Sequence, residues 1–154
     1  MLLKRTARRL LALSDIPSPL KIKVDTLPRK IAGVELSDRQ AEAVKLALTR
    51  KVVVITGGPG TGKTTIIRAI LALLTEAGVR PVRLTAPTGR AAKRLAEVCG
   101  HEATTIHRLL GATGFSRFEH DHDNPLPVRV LIVDETSMVD MVVLSRSFRR
   151  YFQR

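Results

Sequence analysis

Residues 57–64, Gly-Gly-Pro-Gly-Thr-Gly-Lys-Thr, constrain this chain more than any other stretch. They fit the pattern G-x-x-x-x-G-K-[ST] and fall between a β-type run (Val52, Val53, Val54, Ile55, Thr56) and a helix-type run from Thr64 to Ala77. Gly57, Gly58, Gly60 and Gly62, spaced by Pro59 and Thr61, strip side chains from the loop, so successive N–H groups can turn inward around phosphate oxygens. Lys63 then brings a cation to the β- and γ-phosphates, and the Thr64 hydroxyl, followed by Thr65, offers an oxygen to Mg²⁺ at the positive end of the new helix. The competing reading, a glycine-rich turn that binds nothing, makes the strand before and the helix after a coincidence. The pattern implies a grip on a nucleoside triphosphate.

A second signal reinforces the first. Val130-Leu131-Ile132-Val133-Asp134-Glu135 is an apolar run ending in two acids. That places carboxylates at the carboxyl edge of a buried strand, where α/β sheets bind ligands. Asp134 is predicted to hold Mg²⁺, and Glu135 to orient and deprotonate an attacking water. Many strands end in acids, so the run alone is weak. It gains force from its place about 70 residues after Lys63.

The chain has 154 residues, room for one domain with a substantial core. Aromatics are 3%, so that core must be aliphatic, as in parallel sheets. The net charge is +12, and the excess sits mainly at the two ends. Residues 1–35 carry eight basic and three acidic groups, and residues 141–154 carry four and none. This balance favours a polyanion such as nucleic acid; two solvated basic tails are the bland alternative. A single cysteine, Cys99, excludes an internal disulfide, fits a reducing cytoplasm and reads as a small buried residue. No apolar run approaches the ~20 residues of a membrane span, so no membrane partner is expected. After Arg8 and Arg9 the apolar run is only Leu10 to Leu13, too short for a secretory leader.

Along the chain, residues 4–13 read as a short helix and 20–35 as an irregular connector. Ser37 caps the next helix, with Gln40 three residues on and Ala41, Val44 and Leu48 on one face. Strands are expected at 51–56, 81–86 and 128–133, with helices at 64–77, near 89–99 and at roughly 105–110. Residues 111–127 read as a polar loop, and a last amphipathic helix carries Met141, Leu144, Phe148 and Phe152. Strand and helix alternate, so the fold class is α/β: a three-layer domain with a parallel sheet. The expected division is an amino-terminal helix and linker at 1–35, a nucleotide-binding domain at 36–140 and a basic terminal helix at 141–154.

Several residues keep two readings. Gln40 completes a capping box with Ser37, which local sequence favours, yet its amide also matches the donor–acceptor face of adenine. Pro87, Thr88 and Arg90 leave the second strand into a helix start that suits a phosphodiester backbone, or is an ordinary capped turn. Thr105 and His107 are either helix-terminal polar residues or nucleic-acid contacts. His120-Asp121-His122-Asp123 alternates potential metal ligands, but with no further His or Cys nearby it reads as a solvated loop.

Taken in order, Leu36–Gln40, Ile55–Thr65, the 85–95 segment, Thr105–Leu110 and Ile132–Asp140 resemble the first motor domain of RecD-like superfamily 1 DNA helicases. The Asp-Glu-x-Ser-Met ending is more diagnostic than the phosphate loop. The resemblance runs from about residue 5 to 140. It implies a RecA-like P-loop NTPase fold, ATP and Mg²⁺ as cofactors, and ATP-driven 5′-to-3′ movement on single-stranded DNA. It also implies an adenine contact for Gln40 and a DNA side at 86–90 and 105–107. Relatives of this kind continue into a Gln-bearing sensor motif, a second RecA-like domain and its arginine finger. This sequence stops 19 residues after Glu135, so it reads as a fragment, incomplete as a motor and weakly active or inactive alone. An arginine finger contributes about 10³–10⁵ in rate in related phosphate-transfer systems. Two rivals remain: a non-catalytic nucleic-acid-binding remnant, and a P-loop ATPase that acts on no nucleic acid.

Overall fold

The structure, a computed structural model, describes residues 2–24, 27–113, 117–120 and 124–139. These form two compact units, Leu10–Arg80 and the set Met1–Arg9 with Pro81 onward. The expected helix over 141–154, along with Asp140 and Asp121–Asp123, lies outside the described residues.

Helix α1 spans Leu2–Ser14. In the 10–80 unit the connector is less irregular than expected. It holds a small antiparallel hairpin, β1 (Lys30–Ile31) and β2 (Val34–Glu35). Ala32 and Gly33 turn it, both with positive φ, the geometry that matches strand twist in two-residue hairpins. Helix α2 (Asp38–Thr49) follows with both halves of the Ser37–Gln40 capping box formed. Its buried residues are Val44 and Leu48, the face that the sequence spacing marks. Helix α3 (Lys63–Glu76) packs on α2 and buries Ile66, Ile67, Ala69, Ile70, Leu71 and Leu74. This aliphatic contact is the core of the unit, and truncating a side chain such as Leu74 should cost about 2–5 kcal/mol.

The run 52–56 is the clearest departure from expectation. Among the described residues it pairs with no strand, and Val54 is 75% exposed. Valine-rich composition fits a strand, but a strand forms only where a neighbour takes its backbone N–H and C=O groups. The segment just before it does have partners: Lys51 N–H donates to the Ile16 carbonyl at 2.8 Å, and Ser18 N–H to the Thr49 carbonyl at 2.7 Å.

In the second unit, β3 (Val82–Ala86) is followed by α4 (Gly89–Cys99), β4 (Ala103–Thr105) and the short α5 (Ile106–Leu109). A hairpin of β5 (Ala112–Thr113) and β6 (Arg117–Phe118) occupies part of the stretch read as loop. Strand β7 (Val130–Val133) precedes a 3₁₀ turn at Thr136–Met138. The main sheet is parallel, in the order β4-β3-β7. Three parallel strands were expected at 51–56, 81–86 and 128–133; the three observed are β3, β7 and β4, and among the described residues 51–56 joins no sheet. Ala103-Thr104-Thr105 is short and reads as a helix cap, yet β3 gives it a ladder at Leu84, Thr85 and Ala86. Helix α4 packs on β3 and β4 and supplies the crossover that parallel strands require. Leu84, Thr85, Ala86, Ile106 and Leu110 are essentially inaccessible to solvent. Cys99, read as a buried residue, ends α4 half-buried.

Candidate functional site

The phosphate-loop residues lie in the 10–80 unit. Gly62 stands at φ 81° and ψ 26°, a left-handed conformation, and α3 starts at Lys63. A side chain at Gly62 would be strained by that backbone and would also collide with the Gln40 amide. Gly57 is needed for space: a Cβ there would lie 2.6 Å from Thr61 Oγ1. That hydroxyl donates to the Gly58 carbonyl at 2.9 Å, closing the loop on itself. The Lys63 ammonium donates to the Gly57 carbonyl at 2.6 Å and the Gly58 carbonyl at 2.9 Å, so its charge lies against the loop. An ammonium has three N–H donors, and one remains for an anionic oxygen. Thr64 and Thr65 occupy the first turn of α3, at the positive end of its dipole.

Gln40 joins the loop to α2. Its N–H donates to Ser37 Oγ at 3.3 Å, and its Oε1 accepts from Ser37 N–H at 3.0 Å. Its Nε2 donates to the Thr61 carbonyl at 3.4 Å. The cap and the adenine contact therefore need not compete. A carboxamide carries two donors and two lone pairs, and Gln40 keeps one of each. Sequence alone gives no sign of the bond to Thr61, which spans 21 residues.

The acidic pair lies in the other unit, just past β7. Asp134 N–H donates to the Thr85 carbonyl at 2.9 Å, so the strand ladder extends to the first acid. Asp134 Oδ1 accepts from Glu135 N–H at 2.9 Å, and among the described residues Oδ2 has no hydrogen-bond donor. Glu135 is exposed and holds φ 52° and ψ 41°, a left-handed backbone rare for a residue with a side chain. The Thr136 hydroxyl donates to the Val133 carbonyl at 3.2 Å, and Met138 N–H to the Glu135 carbonyl at 3.0 Å, which together fix this turn. Hydroxyl and carboxylate oxygens such as those of Thr64 and Asp134 suit a hard cation like Mg²⁺.

The residues assigned to nucleic acid share the carboxyl end of the same sheet. Ala86 pairs with Thr105 and Thr85 with Val133, so the chain leaves β3, β4 and β7 on one side. Pro87, Thr88 and Arg90 follow β3; Thr105 ends β4 and His107 follows it; Asp134 and Glu135 follow β7. Both threonines are caps: Thr88 Oγ1 accepts from Ala91 N–H and Thr105 Oγ1 from Arg108 N–H, each at 3.2 Å. Arg90 and His107 are exposed, and the His107 ring lies 6.3 Å from that of Phe118. The residue that sequence reasoning passed over is Thr85. It is fully buried, and its hydroxyl donates to the Ile132 carbonyl at 3.3 Å, cross-linking β3 to β7 beside Asp134. A lone threonine in a buried strand is the only signal for it. Among the described residues, no three His, Cys, Asp or Glu side chains gather to hold a metal, and no helix is long and apolar enough to cross a membrane.

Comparison with known proteins shows the family. The AAA domain family matches residues 40–153. The RecBCD enzyme subunit RecD of Mycobacterium tuberculosis is 46% identical over 131 residues, covering 71% of this chain and 23% of the relative. The ATP-dependent RecD2 DNA helicase of Deinococcus radiodurans is 48% identical over 120 residues, covering 77% of this chain and 16% of the relative. An uncharacterized protein of Methanocaldococcus jannaschii is 33% identical over 146 residues, with 82% and 12% covered. The chain thus spans less than a quarter of the length of these relatives. With its α/β architecture, its parallel sheet and its phosphate loop, the chain belongs to the AAA domain family of P-loop NTPases, has a RecA-like fold and is RecD-like.

Proposed function

We propose that this chain is the ATP-binding part of a DNA helicase motor that couples hydrolysis to 5′-to-3′ movement on single-stranded DNA. The observation that carries the reading is the loop at 57–62, closed by Thr61 and crossed by the Lys63 ammonium at the start of α3. Mg-ATP is the ligand. Gly57 to Gly62 and Thr65 surround the phosphates, Lys63 neutralises the β- and γ-phosphates, and Gln40 reads adenine. Thr64 and Asp134 would offer oxygens to Mg²⁺, which would supply charge neutralisation, and Glu135 would orient and deprotonate the water. Pro87, Thr88, Arg90, Thr105 and His107 face DNA phosphates. The working unit is 36–140, preceded by a helix and linker at 1–35 and followed by a basic segment at 141–154. Translocation needs a second RecA-like domain or helicase partner subunits, so the chain alone binds ATP and turns it over weakly if at all. Its place is the cytoplasm. In the binding test, Lys63→Ala should abolish ATP affinity measured by calorimetry; an unchanged affinity would sink the assignment.

A second reading has its own support in the charge of +12. The chain would then bind nucleic acid without nucleotide chemistry. DNA affinity that falls steeply with salt but ignores both ATP and Lys63→Ala favours it.

A further inference from the structure

We infer that Gln40 is a positioning residue for the phosphate loop itself, independently of any contact with the base. This rests on the nucleotide-binding reading above and extends it. The loop leaves residues 52–56, which have no ladder partner among the described residues, and ends at Gly62. Its closures are the Thr61 hydroxyl and the Lys63 ammonium, and all three of their bonds stay within residues 57–63. The Nε2 bond from Gln40 to the Thr61 carbonyl differs in kind, because it ties the loop to another helix. Gln40 is itself held at both ends by Ser37, so its amide is fixed before it meets the loop. The amide nitrogen also fills the space that a Cβ on Gly62 would need.

The consequence is preorganisation. A loop held in one arrangement loses less freedom when phosphate arrives, so affinity rises without any new ligand contact. The signature is an effect of Gln40 on a ligand that has no base. Inorganic tripolyphosphate with Mg²⁺ is that ligand, compared with Mg-ATP on the full chain. Gln40→Met removes the amide and keeps the length of the side chain. Ser37→Ala removes one bond of the helix cap while Gln40 can still reach Thr61.

Gln40→Met should weaken tripolyphosphate about fivefold, the scale of one net hydrogen bond, and weaken ATP at least as much. Ser37→Ala should leave tripolyphosphate affinity within about twofold. Backbone order parameters at residues 58–62 should fall in Gln40→Met and hold in Ser37→Ala, a readout that needs no ligand. Loss of ATP affinity with tripolyphosphate unchanged would reduce Gln40 to a base contact and overturn the inference. Equal losses in both variants would assign the effect to the helix cap and overturn it too. If wild-type chain binds neither ligand, the nucleotide-binding reading fails by itself; order parameters at 58–62 that fall in Gln40→Met and hold in Ser37→Ala would still support the brace, and unchanged ones would overturn it.

Discussion

Thr85 and Asp134 are bound through the backbone: the Asp134 N–H donates to the Thr85 carbonyl at 2.9 Å, while the buried Thr85 hydroxyl cross-links to Ile132 on β7, the strand that Asp134 follows. The first acid is therefore positioned by a neighbouring strand as well as by its own. Thr85→Val keeps the shape and removes the hydroxyl. Losing a buried hydrogen bond should cost about 1–3 kcal/mol. The expected readout is a melting temperature lower by several degrees, with ATP affinity reduced less than turnover in the assembled enzyme. An unchanged melting temperature would deny the cross-link any role.

Gly62→Ala meets two obstacles at once, a left-handed backbone and the Gln40 amide. A non-glycine residue in such a conformation costs on the order of 1–3 kcal/mol. Chemical denaturation should show that loss, and ATP affinity should fall at least tenfold because α3 begins at the next residue. Wild-type affinity in a variant of normal stability would show that the loop tolerates a side chain there.

Glu135 occupies the left-handed region without being glycine. Asparagine adopts that conformation more readily, since its short polar side chain can bond locally. Glu135→Asn should raise stability, by up to about 1 kcal/mol, and leave ATP affinity near wild type. Hydrolysis by the assembled enzyme should be lost. A lower melting temperature would contradict the strain argument.

Arg90 stands exposed one residue into α4, beyond the Thr88 cap. If it meets a phosphodiester, Arg90→Ala should weaken single-stranded DNA uniformly across sequences. The slope of log affinity against log salt should shrink by about one unit. ATP affinity should not change. An unaltered slope in a titration followed by fluorescence anisotropy would remove Arg90 from the DNA side.

Local signals in the sequence were the ones that held. The Ser37–Gln40 box, the Thr88 and Thr105 caps and the α4 span all depend on residues within a few positions of one another. The glycine at position 62 was legible for the same reason. The parallel sheet and its strands at 81–86 and 128–133 were legible as β3 and β7, but the identity of the third strand was not, because pairing depends on distant partners. Val52 to Thr56 has strong β composition and no ladder among the described residues, whereas Ala103–Thr105 is only three residues long and gains one from β3. The role of Thr85 and the reach of Gln40 to Thr61 were hidden likewise; contacts across 47 and 21 residues leave no periodic trace.

The lead-in at 52–56 has a further implication for anyone handling this polypeptide by itself. Among the described residues no strand pairs with it, its composition is sheet-loving, and Val54 faces water. Such a ribbon recruits the rim of another molecule, so concentrated samples should self-associate through it. A proline or lysine placed there for solubility would act directly on the segment that leads into the 57–62 loop.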